Sequence, residues 1–129
     1  MNNPPKINDD VTRELSLILD ELKEKGRFIG IILANRNGEI INENIGIDAD
    51  STKLTSMCAS VFESAGGLRD TTGNQKIVKI IAELEKTSIL MVEIKEKKVF
   101  LIIIINNQVD SSFISDNLEE YMQKIKSLI

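Results

Sequence analysis

The stretch FIGIILANRNGEIINENI, residues 28–45, decides the fold because it reads as two strands joined by a tight turn. Residues 28–34 are apolar on both alternating faces, which is typical of a strand that is covered from above and below. Residues 39–45 are apolar over only part of their length, which indicates an edge strand. Asn37 and Gly38 lie in the turn and tolerate positive backbone φ, so the two strands are predicted to form an antiparallel hairpin.

Three further strands are predicted downstream, at residues 76–84, 88–95 and 98–106. Short charged turns join them, so sequential neighbours are expected to pair as a meander. Residues 99–105 form the second run that is apolar on both faces. The two doubly apolar strands belong side by side at the centre, which predicts a five-stranded antiparallel sheet of order 2-1-5-4-3.

Three amphipathic helices are available to cover this sheet. The first follows a capping cluster at residues 8–10, the second spans residues 51–68, and the third spans residues 112–129 with Asp110 or Ser111 as its cap. The element order is therefore αββαβββα. The predicted fold class is α+β, built as a three-layer α/β/α sandwich.

The second helix carries seven apolar residues at helical spacing, which predicts that it buries one broad face. They are Leu54, Met57, Cys58, Val61, Phe62, Ala65 and Leu68.

The composition describes a mildly acidic chain with one core. The 129 residues are 42% hydrophobic, which is enough for a core without disulfides or metals, and the net charge of -4 gives no general attraction to nucleic acid. Residues 1–7 are interpreted as a disordered leader and residues 8–129 as a single domain. The longest apolar run is far shorter than the roughly 20 residues of a membrane-spanning helix. We expect a cytoplasmic protein that inserts into no membrane.

The residues that usually carry catalysis are missing or isolated. Histidine is absent, which removes the commonest general base and metal ligand. Cys58 lies on the apolar side of the second helix and is interpreted as a structural thiol. Arg69 invites comparison with an arginine finger, but a surface salt bridge is favoured, and Gly66-Gly67 lacks the phosphate-loop pattern. No catalytic residue, metal or cofactor is therefore expected.

The two edges of the predicted sheet differ. Residues 39–45 are short and polar enough to be protected, whereas residues 76–84 form a long strand without proline. One face of that strand carries four residues: Ile77, Lys79, Ile81 and Glu83. In an antiparallel pair with a second copy, the lysine and the glutamate could face each other. This edge is predicted to form a dimer.

A flank of small residues on the second helix is a further candidate for the dimer or partner contact. Its members are Ser56, Ser60, Ser64 and Gly67. Small residues let two helix backbones approach closely. An ordinary solvated face is the alternative interpretation.

The element order, the turn region LANRNGEII at residues 33–41 and the SAGG ending of the second helix at residues 64–67 resemble the Roadblock/dynein light chain family of the longin/roadblock superfamily. The resemblance covers about residues 10–129. It implies a homodimer, or a heterodimer with a paralogue, in which the strand after the second helix pairs with its counterpart. Members commonly have aspartate where this chain has Asn35, which keeps the hydrogen-bond acceptor and loses the charge.

For function, the resemblance implies a non-enzymatic adaptor that regulates or scaffolds a small Ras-like GTPase. The alternative is a structural light chain, or a longin-like trafficking subunit, that contacts no GTPase. The last helix is longer than in the smallest members, so partner choice is expected to differ.

Overall fold

The computed structural model describes residues 8–46, 49–94, 96–109 and 112–129, without the side chains of Phe113 and Ser115. Its helices and strands follow the predicted order. They are α1 (Asp9–Gly26), β1 (Gly30–Asn35), β2 (Ile40–Ile45), α2 (Ser51–Thr71), β3 (Ile80–Glu83), β4 (Thr87–Ile94), β5 (Val99–Asn106) and α3 (Ser112–Leu128). Two predictions fall outside the described residues, namely the leader at residues 1–7 and the caps at Asp110 or Ser111.

The strands form one antiparallel sheet in the predicted order, β2-β1-β5-β4-β3. β1 pairs with β2 on one side and with β5 on the other, from Gly30 opposite Ile104 to Asn35 opposite Val99. Both central strands are buried along nearly their whole length. The prediction that the two doubly apolar runs lie at the centre is confirmed.

Helices cover the sheet on both faces, which confirms the three-layer α/β/α sandwich. α1 and α3 pack on one face, where Leu19 and Ile125 are fully buried. α2 packs on the other face. There the ring of Phe62 meets that of Phe100 edge-to-face, with 4.9 Å between centroids.

The Asn35 side chain reinforces the backbone hydrogen bonds of the β1–β2 turn. The Oδ1 atom of Asn35 accepts hydrogen bonds from the backbone N–H groups of Asn37 at 3.0 Å and Glu39 at 3.1 Å. Gly38 adopts a φ of 89°, a conformation that favours glycine. The amide oxygen of Asn35 therefore supplies the acceptor that an aspartate carboxylate would supply in such a turn, without its charge.

α1 begins at the predicted capping cluster and runs to Gly26. The side chain of Asn8 accepts a hydrogen bond from the Val11 N–H at 2.9 Å, which caps the first turn. The helix ends at Gly26, but the left-handed residue that terminates it is Arg27, with a φ of 55°. Glycine is needed at position 26 for space, because a Cβ atom there would lie 2.3 Å from Cζ of Phe28.

α2 is longer than predicted. It continues to Thr71, beyond the predicted end at residue 68. The hydroxyl groups of Thr71 and Thr72 both donate hydrogen bonds to the Leu68 carbonyl, at 3.0 and 2.7 Å. These bonds give the Leu68 carbonyl partners near the helix end, which stabilises the turn beyond residue 68.

β3 is shorter than predicted. Only Ile80–Glu83 of the predicted strand at residues 76–84 pair as a strand, and residues 75–79 adopt no regular structure. The pairing with β4 starts at Ile80 opposite Met91. An edge strand gains hydrogen bonds on one side only, which gives less to offset the loss of backbone entropy at its end.

Candidate dimer and partner interface

The β3 edge exposes large apolar side chains. Val78 is 79% exposed, Ile81 55% and Leu84 52%. No described helix or strand covers the outer side of β3, since the sheet ends there. An apolar edge that is open in this way is a template for pairing with another chain.

The backbone of β3 has a definite orientation toward this open side. Leu84 donates its N–H to the Thr87 carbonyl at 2.7 Å, so the Leu84 backbone faces β4. Successive residues of an antiparallel strand direct their backbone groups to alternate sides. Ile81 and Glu83 therefore present their N–H and C=O groups to the open edge.

Three of the four predicted edge residues share one face in the structure. Lys79, Ile81 and Glu83 are exposed and line the same groove of about 270 Å³, with buried Leu90 beneath. This groove opens on the side of the sheet that α1 and α3 cover, because Ile81 pairs with Leu90 of that core. Ile77 is half-buried and lines a neighbouring groove of about 570 Å³.

The apolar residues of α2 divide into two sets, which corrects the prediction of a single broad buried face. Cys58 and Phe62 are buried against the sheet together with Thr55 and Ala59. The predicted core residues Met57, Val61 and Leu68 are instead exposed. Sheet burial at helical spacing uses only a narrow arc of the helix, so the remaining apolar residues face outward.

We call the outward set the α2 stripe. Its members are Leu54, Met57, Val61, Ala65 and Leu68. Leu54 and Ala65 are half-buried, and Leu54 also packs against the core on the α2 side of the sheet. On a helix that turns about 100° per residue, this stripe is centred about 110° from the sheet-facing residues. Its three exposed members, Met57, Val61 and Leu68, form an apolar surface of the kind that interaction sites use.

The predicted small-residue flank lies on the other side of α2 from this stripe. All four of its members are exposed, namely Ser56, Ser60, Ser64 and Gly67. A Cβ atom at Gly38 would lie 3.3 Å from Cα of Ser56, so the flank begins beside the β1–β2 turn. Its role as a dimer or partner contact stays a prediction.

The α2 stripe was not predicted from the sequence, because apolar residues at helical spacing indicate burial without indicating what buries them. The available signal was the width of the arc that the apolar residues cover around the helix. Residues 54 and 68 bracket a set that covers more of the helix than one sheet-facing arc of about 100° needs.

A charged cluster joins three elements beside the larger groove. The Arg36 guanidinium in the β1–β2 turn forms an ion pair with Glu93 of β4 at 2.9 Å. The same guanidinium lies 5.0 Å from the ring centroid of Phe62 in α2. Arg69, at the end of α2, lines this groove and is exposed.

Burial suppresses the reactivity of the single thiol. Cys58 is 4% exposed, and desolvation raises its pKa to about 11. The thiolate, which is the nucleophilic form, is therefore scarce near neutral pH. Within the described residues, no group of three or more metal-ligating side chains comes together, and no helix is long and apolar enough to cross a membrane.

The fold and the open edge together define a class of protein, an α/β/α module with one edge strand available for pairing. The Roadblock/LC7 domain family matches residues 14–104, and the chain belongs to this family. Members of the family are generally adaptors without a catalytic site. No curated protein matches the chain.

Solved structures share this fold at low sequence identity. The chain is similar to Myxococcus xanthus MglB, with a TM-score of 0.81, 20% identity, and coverage of 89% of this chain and 94% of that one. It is similar to the gliding protein MglB of Thermus thermophilus, with a TM-score of 0.87, 11% identity and coverage of 98% and 97%. A Roadblock/LC7 domain from Streptomyces avermitilis gives a TM-score of 0.77 at 10% identity, with coverage of 87% and 94%.

Proposed function

We propose that this protein is a non-enzymatic adaptor that forms a homodimer through β3 and α2 and binds a small Ras-like GTPase as its regulator or scaffold. One observation carries the proposal, namely that β3 leaves its outer backbone groups unpaired beside exposed Ile81. Membership of the Roadblock/LC7 family supports it, since the family acts by holding partners. A cytoplasmic location belongs to the same proposal.

The backbone orientation of β3 restricts the register of the dimer. Ile81 and Glu83 direct their hydrogen-bonding groups outward, so odd-numbered residues must pair with odd-numbered residues of the second copy. A two-fold axis at Ile81 places each Lys79 opposite Glu83 of the other copy. A shift by two residues places a charged side chain opposite Ile81 instead. The register centred on Ile81 is therefore the one that places opposite charges against each other and apolar side chains against each other.

The α2 stripe supplies the second contact of the proposed dimer. Its exposed members, Met57, Val61 and Leu68, give an apolar face that two helices can bury against each other. It extends toward the end of α2, where Gly66 and Arg69 share a groove with Val78. The two contacts are therefore close to each other on the surface.

A cross-linking experiment tests the register. Ile81→Cys in a Cys58→Ala background is expected to form a disulfide-linked dimer on mild oxidation, because the Cα atoms of a hydrogen-bonded cross-strand pair lie about 5.5 Å apart, within disulfide range. Glu83→Cys in the same background is the matched control. Its two copies would lie four positions apart along the sheet, so no dimer should form by cross-linking. Efficient linkage through Glu83→Cys alone would contradict this register.

Binding to a GTPase is tested with the Ras-like GTPases of the same genome. Each is mixed with the protein in its GDP form and in a GTP-analogue form, and binding is measured by isothermal titration calorimetry. We expect one GTPase to bind, with a preference for one nucleotide state, because regulators act by distinguishing the two states. Absence of binding to every GTPase in both forms would contradict the proposal and favour a structural light chain.

A further inference from the structure

β4 is longer than the strand that pairs with its outer side. It runs to Ile94, whereas β3 pairs with it only from Ser88 to Met91. In the described part of the chain, the outer side of Val92–Ile94 has no strand partner. The groove of about 570 Å³ lies along this free section.

Residues 75–79 pass beside the same groove without regular structure. Ile77, Val78 and Lys79 line it, together with Val92 and Glu93 of β4. The segment contains two adjacent β-branched residues, Ile77 and Val78, which favour strands, and Val78 is 79% exposed. A segment with strand character thus lies next to an unpaired strand edge without pairing to it.

The register of β3 against β4 fixes how residues 77–79 would pair with the free section of β4. Ile80 lies opposite Met91, so an extension of β3 toward its N-terminus places Val78 opposite Glu93 and Ile77 opposite Ile94. Ile77 would then face the core that contains Ile94. Val78 would face the α2 side, where Glu93 forms its ion pair with Arg36.

We propose that dimerisation extends β3 through residues 77–79, so that the strand completes its pairing with β4 only when a second copy occupies its outer side. The inference rests on the dimer proposed above. Dimerisation would favour the extension because the backbone N–H and C=O groups of Val78 would point toward β4, whereas those of Lys79 would point toward the open edge. In the monomer the extended segment gains bonds on one side and loses backbone entropy. In the dimer, Lys79 also pairs with Glu83 of the second copy, and the strand is bonded on both sides.

This coupling changes the groove beside the free section of β4. When the dimer dissociates, residues 77–79 leave β4 and the groove beside Phe62 and Val92 opens. When the dimer forms, the same segment fills it. Whether the free section of β4 is paired therefore depends on the dimeric state.

Amide hydrogen exchange measured by NMR tests the proposal on the full chain. The wild-type protein at high concentration is compared with Ile81→Lys, and light scattering gives the oligomeric state of each sample. We expect the Val78 and Lys79 amides to exchange at least about 100-fold more slowly in the dimer than in the monomer. The Ala82 and Leu84 amides address β4 in both states and serve as internal controls.

The outcomes separate the two proposals. If the wild type is dimeric but the Val78 amide exchanges as fast as in the monomer, the extension is refuted and the dimer stands. If the Val78 amide is already slow in the monomer, the extension does not depend on dimerisation, and the coupling is refuted. If the wild type is monomeric at every concentration, both proposals fail.

A second measurement uses proline to remove one hydrogen bond. Val78→Pro lacks the N–H that would bond to the Glu93 carbonyl, so we expect a dimer about tenfold weaker by sedimentation equilibrium. Gln75→Pro lies in the same irregular segment but outside the proposed pairing and is the matched control. Equal effects of the two substitutions would overturn the proposed register of the extension.

Discussion

The two edges of the sheet differ in what covers them. At the β2 edge, Asn42 donates to the Thr12 carbonyl at 3.3 Å and to the Ser16 hydroxyl at 3.1 Å, both on α1. At the β3 edge, no side chain of the described residues makes a comparable bond to a helix, and Ile81 is exposed. One edge strand is bonded to α1 of its own chain, and the other is the edge that we propose pairs with a second molecule.

A second asparagine completes the closure at β2. Asn44 donates to Asp20 Oδ1 at 2.6 Å, and its own Oδ1 accepts from Lys23 Nζ at 3.1 Å. The contacts fix α1 along the strand at two successive inward positions. An edge strand can therefore be protected by polar side chains that bind a covering helix, as well as by charges in solvent.

The largest expected effect comes from a charge at the centre of the β3 edge. Ile81→Lys removes two apolar side chains from the proposed interface and places two lysines on its axis. We expect the dimer dissociation constant to rise at least about 100-fold, near 3 kcal/mol. Light scattering over a dilution series measures it. Glu43→Lys, on β2, is the control from the opposite edge and should leave the dimer unchanged. A stable Ile81→Lys dimer would place the interface elsewhere.

The next effect concerns the α2 stripe. Met57→Asp introduces a charge into the proposed helix contact, and we expect dimerisation to weaken about 30-fold, near 2 kcal/mol. Leu17→Asp is the matched control, because Leu17 on α1 is 64% exposed and Met57 is 59% exposed. Sedimentation equilibrium compares the two variants. Similar dissociation constants would mean that the stripe contributes nothing specific to the dimer.

Charge pairing at the edge should have a smaller effect. Lys79→Glu places two glutamates opposite each other at both ends of the proposed strand pair, which we expect to weaken the dimer about tenfold, near 1.4 kcal/mol. The double variant Lys79→Glu/Glu83→Lys restores opposite charges and should recover most of the affinity. Failure of the second substitution to rescue the first would show that the two residues do not face each other.

The smallest effect is expected at the closed edge. Asn44→Ala removes the bonds to α1 and should lower the free energy of unfolding by about 1 kcal/mol. Chemical denaturation in the Ile81→Lys background measures this without a contribution from dimer dissociation. Dimerisation of the single variant Asn44→Ala should equal that of the wild type. A change in dimer affinity would mean that the two edges are not independent.

Most of the fold was determined by the sequence alone. Two runs that are apolar on both faces require two covered strands, and the turn at Asn35–Gly38 joins one of them to its neighbour within a few residues. The turn signal is local. The order of the strands follows once the strands that must be interior are identified. The sheet order and the three-layer arrangement follow from them, and both are confirmed.

Tertiary structure alone decided how the edges end. The sequence indicated a strand over residues 76–84, but only Ile80–Glu83 form a strand in the structure. It also indicated that Met57, Val61 and Leu68 belong to a buried face, whereas all three are exposed in the structure. Apolar periodicity indicates that a surface becomes buried. Whether the same chain or another one buries it depends on how the packed elements fit together.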